Sequence, residues 1–284
     1  MIGRFSLWKH FEEAEAAWSP EALAREHLDL QKRYGLDFIK FSPHLRVFVG
    51  IFNPAGERKE MGSVGSVDAG RGNRYLDLYL GALRLIVESA GVPVLTTLFS
   101  SSTTVRSIVG EEAFAEALES GGGELFEAAA RVNDGIIGLA DRIRDLGVGV
   151  FFASNINGIE DYSQFLRQDL DVVSMFGERI YHIHDYSNAV GSVIKGLPDL
   201  ALSWESARIQ LGDIGSKVPV NGISRSQVQE GDFDGIRQDI EHLLSARRDA
   251  IIGPNCAIHD PIPEGGLGRV RDIARAALKA HGQE

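Results

Sequence analysis

The chain has 284 residues, 44% hydrophobic and 24% charged, with a formal net charge of −11. An acidic chain without a basic block argues against nucleic acid and anionic membrane surfaces as partners, and no apolar run approaches the roughly eighteen residues of a membrane span. The lone cysteine, Cys256, rules out an internal disulfide framework and fits a reducing cytoplasm.

In chain order, the opening MIGRFSLWKHFEEAEAAW has no apolar signal core and soon turns acidic, so no export signal is expected. Trp8, His10 and Phe11 precede the first helix; they suit a lid over a binding site, and Trp8 equally suits a plug in the core. SPEALAREHLDLQKRYG predicts a helix, with Ser19 as N-cap, Pro20 at the first helical position and Gly35 beyond the end. LDFIKFSP then reads as a short buried strand stopped by Pro43. Within it, Lys40 needs a partner or a shifted pKa, which makes it a candidate for catalysis or substrate contact, and equally a lysine that simply reaches out of a strand end. LRVFVGIF is a further strand candidate, and the glycine-rich pieces GSVGSVDAGRG and SGGGE read as loops.

VPVLTTLF is a strand that runs into SSSTT, whose hydroxyls, Ser100 among them, suit helix caps or contacts to an anionic substrate. Helical patterns in GGELFEAAARVNDGIIGLADRIRDLG and EDYSQFLRQDLDVVSMFG alternate with the strands VGVFFAS and RIYHIHD. DLALSWE, VPVNGIS and DAIIGPNC complete the strands, and LGRVRDIARAALKAHG is the last helix. With no repeat, low-complexity tract or linker, residues 1–284 are expected to form a single domain. Seven strands separated by helices predict a parallel α/β fold, most economically a (β/α)8 TIM barrel with LRVFVGIF as the eighth strand. The rival, an open doubly wound sheet, has neither a G-x-G-x-x-G turn nor a phosphate loop to support it.

In such a barrel, function gathers where strands end. One strand ends at His182 and His184, followed by Asp185 and Tyr186; another at Asn155 and Asn157; another at Asn221, before Arg225; and the last just before Cys256, with His259 beyond. Residues i and i+2 of a strand share a face, so His182 and His184 project together. Two imidazoles and a thiolate from a later strand make a three-ligand set with an open position, which suits catalytic zinc. A His-x-His pair can also be two hydrogen-bonded polar residues, and a lone cysteine a small buried hydrophobe.

The order and spacing of these blocks resemble the uroporphyrinogen decarboxylase superfamily across nearly the whole chain. The resembling segments are SLWKHF with GLDFIKFSP, VPVLTTLFSSSTTVRSIVG, RIYHIHDYSN, VPVNGISR and IIGPNCAIHDPIPEGGLGRVRDIARAAL. The resemblance implies a (β/α)8 barrel and offers two chemistries. The decarboxylase branch is a metal-free lyase acting on a tetrapyrrole or a smaller acid, but the arginine-bearing amino-terminal signature of the tetrapyrrole enzyme is missing: Trp8 is followed by Lys9, His10, Phe11, Glu12 and Glu13. The other branch comprises zinc methyl and alkyl transferases that activate a thiol and hold the metal with a His-x-Cys pair and a later Cys. Carried over, these ligands are His182, His184 in place of the first Cys, and Cys256. The exchange raises the charge at the metal by one unit and leaves open whether a thiol or a water is activated.

On this resemblance Asp185, His259 and Lys40 are candidate catalytic groups, and Trp8, His10, Ser100, Asn155, Asn157, Tyr186, Asn221 and Arg225 candidate substrate contacts. It implies a small-molecule substrate, a corrinoid carried on a partner protein if one is used, and pairing into a homodimer. A non-catalytic barrel that binds a small ligand or a corrinoid protein remains the third alternative.

Overall fold

The computed structural model describes residues 3–9, 18–65, 72–184, 188–205 and 209–283. His10, Asp185 and Tyr186 therefore lie outside the described residues. Seven strands, β1 (Ile39–Phe41), β2 (Val94–Phe99), β3 (Gly149–Asn155), β4 (Arg179–His184), β5 (Ala201–Trp204), β6 (Val218–Ile223) and β7 (Ile251–Pro254), form one parallel sheet in sequence order. Every neighbouring pair is parallel, and helices fill the crossovers except that from β5 to β6, where none lies among the described residues.

Alternation along the strands sorts side chains into two layers. Phe38, Leu95, Phe151, Ala153, Ile180, Ala201, Val220 and Ile251 pack with Trp8 into one cluster on the concave face of the curled sheet. The intervening residues, such as Ile39, Phe41, Val150, Phe152, Tyr181 and Ile183, pack outward against helices. Trp8 is 1% exposed and lies against Gly253, where an added Cβ would come within 2.5 Å of the indole. Only glycine allows the ring so close to β7.

The stretch LRVFVGIF is a helix, Leu45–Phe52, not the eighth strand that its apolar run suggests. A continuous apolar run does not distinguish a buried helix from a buried strand. Here Pro43 stops β1, and the His44 side chain accepts from Arg46 N to cap a helix whose Val47, Phe48, Ile51 and Phe52 are all buried. The position beside β7 is taken by residues 4–9. Ile252 N donates to Arg4 O at 2.8 Å and Ser6 N to Ile252 O at 3.1 Å. On the other side, Asp37 N donates to Phe5 O at 2.9 Å and Ser6 Oγ to Phe38 O at 2.8 Å. This segment joins the last strand to the chain entering the first.

Its register is held by one carboxylate. Asp37 Oδ2 accepts from Arg4 N and Phe5 N at 2.8 and 2.9 Å, and Oδ1 accepts from Arg275 at 2.6 Å. Helix 20–34 forms as its end signals require: Ser19 Oγ accepts from Ala22 N, and Gly35 closes it at φ 60°. Among the described residues, no helix is long and apolar enough to cross a membrane.

Candidate metal centre

His182 and His184 lie on one face of β4, and Cys256 follows the end of β7. The sheet's curl brings these two ends together. One ligand atom from each of His182, His184 and Cys256 lies within 4.8 Å of the others, and Cys256 Sγ is 3.9 Å from His184 Nδ1. With Zn–N near 2.0 Å and Zn–S near 2.3 Å, tetrahedral neighbours stand roughly 3.3–3.5 Å apart. The sulfur–nitrogen spacing is about 0.4 Å wider than that, and a pair at the 4.8 Å limit needs a contraction of about 1.5 Å. His182 Nδ1 contacts Ser203 Oγ at 3.1 Å, which leaves Nε2 as the nitrogen free for a ligand.

The charge pattern around His184 also suits a cation. Its Nδ1 lies 2.7 Å from Glu205 Oε2, and the Glu205 side chain is 7% exposed. Cys256 and then Glu205 raise the His184 pKa to about 10 against the opposing effect of burial. A proton thus sits where the Cys256 sulfur and the Glu205 carboxylate converge. His182 is the opposite case: burial first, with Lys40 and His184 adding to it, holds its pKa well below the ordinary value, so it is a neutral imidazole ready to ligate. The donor set, two imidazoles, one thiol and an adjacent carboxylate, fits a zinc ion.

Glu205 was not singled out by the sequence reading, although it closes the apolar run ALSW directly after β5. The strand-end rule, applied to β5 as it was to its neighbours, would have found it. Its carboxylate adds a negative charge beside His184. Arg225 shares that carboxylate, with NH2 3.1 Å from Glu205 Oε1 and NH1 3.9 Å from Cys256 Sγ. Asn255 Oδ1 accepts from Arg225 N at 3.0 Å, tying the exits of β6 and β7 together beside the cysteine.

A pocket of about 200 Å³ opens onto the two histidines and the cysteine. Its walls include Trp8, Phe99, Phe151 and Ala257, with Lys40, Thr103, Ser154 and Asn155 among its polar residues. Lys40 is 7% exposed, and its Nζ lies 3.8 Å from the Phe151 ring centroid and 4.9 Å from that of Trp8. Burial lowers its pKa to about 7, with Cys256 opposing.

The other sequence candidates are placed as follows. Asn155 Oδ1 accepts from Asn157 N at 3.1 Å, and Asn157 O accepts from Arg106, which fixes the loop after β3. Ser100 is fully buried and does not line the pocket; its hydroxyl caps helix 101–109 by accepting from Thr103 N. Asn221 is occupied by backbone, donating to Trp204 O and accepting from Gly222 N. His259 is half-buried and close enough to Glu205 to lower its pKa, after burial, His184 and Arg225 have acted.

No protein-family model matches the chain, and no curated protein matches it in sequence. Solved structures do. A methyltransferase from Methanosarcina mazei superposes with a TM-score of 0.77 at 19% identity, covering 94% of this chain and 87% of that one. A B12-independent methionine synthase from a Shewanella species, solved with selenomethionine, gives 0.60 at 15% identity, covering 98% and 93%. At such identities the likeness establishes a shared fold, an α/β architecture with a curled parallel sheet that runs in strand order.

Proposed function

We propose that the chain is a closed (β/α)8 barrel enzyme that transfers a methyl or alkyl group to a small thiol, with zinc held by His182, His184 and Cys256. The convergence of those three donors, from two strand ends 72 residues apart, is the observation that carries this reading. Both structural relatives are named as methyl-transfer enzymes or methionine synthases, and residues 4–9, bonded to Ile252 on one side and to residues 37–38 on the other, suit the eighth position of such a barrel.

Zinc bound there would act as a Lewis acid that keeps a thiol deprotonated near neutral pH. The protein does the remaining work. Ser203 fixes the ring of His182 through Nδ1, and Glu205 balances charge at His184 while Arg225 holds Glu205 in place. Trp8, Phe99, Phe151 and Ala257 wall the pocket and keep water from competing with the thiol. The electrophilic carbon comes from outside the chain, on a small alkylated donor or on a corrinoid carried by a separate protein.

A tetrapyrrole decarboxylase is disfavoured by size. Pockets for drug-sized ligands run from about 300 to 1,000 Å³, and the pocket beside His182, His184 and Cys256 is about 200 Å³ among the described residues. Metal analysis tests the proposal. Purified protein should carry zinc at one per chain and alkylate a small thiol only when loaded. Cys256→Ala should lose both the metal and the activity while keeping its fold. Zinc-free protein that cannot be loaded, or full metal content in Cys256→Ala, would refute it.

A further inference from the structure

Lys40 stands out among the polar groups of the pocket. Alternation on β1 turns it inward with Phe38, while Ile39 and Phe41 pack outward. Its side chain is more than nine-tenths buried, yet among the described residues its ammonium has no hydrogen bond or ion pair. Its neighbours are the faces of Phe151 and Trp8, at 3.8 and 4.9 Å. Aromatic faces attract a cation but accept none of its three N–H bonds. Two other cations near the pocket, Arg225 and protonated His184, are already paired with Glu205. Cys256 acts on Lys40 through space, but no hydrogen bond joins them.

We propose that Lys40 is a specificity-determining residue: it receives the anionic end of a small, otherwise apolar substrate, a carboxylate or sulfonate, whose body lies against Trp8 and Phe151. A single flexible ammonium suits a monoanion, whereas a phosphate dianion usually draws an arginine fork or a cradle of backbone N–H groups. The pocket's volume of about 200 Å³ limits the body to a few carbons. Burial away from any acceptor among the described residues disfavours the ammonium in the empty protein, and the substrate's own oxygens supply that acceptor on binding. Recognition is therefore strongest for the charged form of the ligand. This inference requires no metal.

The test is calorimetric titration with butanoate, butanesulfonate and the neutral isostere butanamide, run in chelator and repeated with zinc, so that failure of the metal reading is seen separately. The wild-type protein should bind at least one of the anions about tenfold or more tighter than the amide. Lys40→Met should abolish that preference, and Lys40→Arg should retain a preference for anions. Melting curves guard against misfolding, since methionine fills the same space without a buried charge. Equal binding of acid and amide by the wild type, undiminished anion binding in Lys40→Met, or no binding of either anion would overturn the proposal.

Discussion

At the scale of single residues, the candidate site turns on where protons sit. His184 lies below Cys256 and beside Glu205, and its pKa of about 10 means that it carries a proton at neutral pH in the metal-free chain. A metal ligand must present a free lone pair, so metal uptake expels that proton. The sign follows directly. Below pH 10, apparent zinc affinity should rise with pH, by about tenfold per unit for each proton displaced. A chromophoric chelator competition between pH 6 and 9, with proton release read in weakly buffered solution, checks this. An affinity that stays flat with pH would show that metal binding displaces no proton from His184. His182 adds nothing to the slope, because burial already keeps it neutral.

At the scale of elements, helix 163–173 is pinned to β3 and β4 by one buried carboxylate. Asp169 Oδ2 accepts from the Tyr181 hydroxyl at 2.5 Å, from Ser154 at 2.8 Å and from Tyr162 at 2.9 Å, and the residue is fully buried. Burial raises its pKa to about 7, and the three hydroxyls oppose that rise without cancelling it. An acid whose folded pKa exceeds its unfolded value of about 4 favours the folded state most fully below pH 4, and that contribution is lost as pH rises through 7. Asp169→Asn should therefore flatten the pH dependence of melting between pH 4 and 7, leaving the wild type relatively more stable at the acid end. Parallel melting curves for the two proteins across that range would remove Asp169 from the account. The same network explains why Tyr162, beside a helix start, is a core residue: its ring packs on Phe165 at 5.5 Å while its hydroxyl joins Asp169.

At the scale of the whole molecule, residues 4–9 link the last strand to the residues just before the first. Asp37 holds that segment by two backbone N–H groups and is itself held by Arg275 of the final helix, so one side chain links both ends of the chain. Removing an ionised acceptor from several donors typically costs about 1.5–3 kcal/mol per hydrogen bond lost, less where water can replace it. Asp37 is partly exposed. Asp37→Ala should therefore cost about 2–4 kcal/mol in urea denaturation, with an unchanged slope. A loss below about 0.5 kcal/mol would mean that the segment is held by its apolar side chains alone, Phe5 and Leu7 in the outer core and Trp8 within the sheet.

Much was legible in the sequence because local rules have local causes. The period-two alternation in RIYHIH puts both imidazoles on one face whatever surrounds them, and Ser19, Pro20 and Gly35 delimit a helix through their own backbone chemistry. The sequence by itself determined the seven parallel strands, the helices between them and the inward pair of histidines. Only the tertiary structure decided which apolar run became helix and which segment lay between β7 and β1, because burial on all sides erases periodicity in LRVFVGIF and a few backbone hydrogen bonds suffice for residues 4–9. It likewise decided that Glu205 stands beside His184, and that Lys40 lies between two rings without an acceptor among the described residues. Those are contacts between distant strands, set by the curl of the sheet, and no spacing along the chain encodes them.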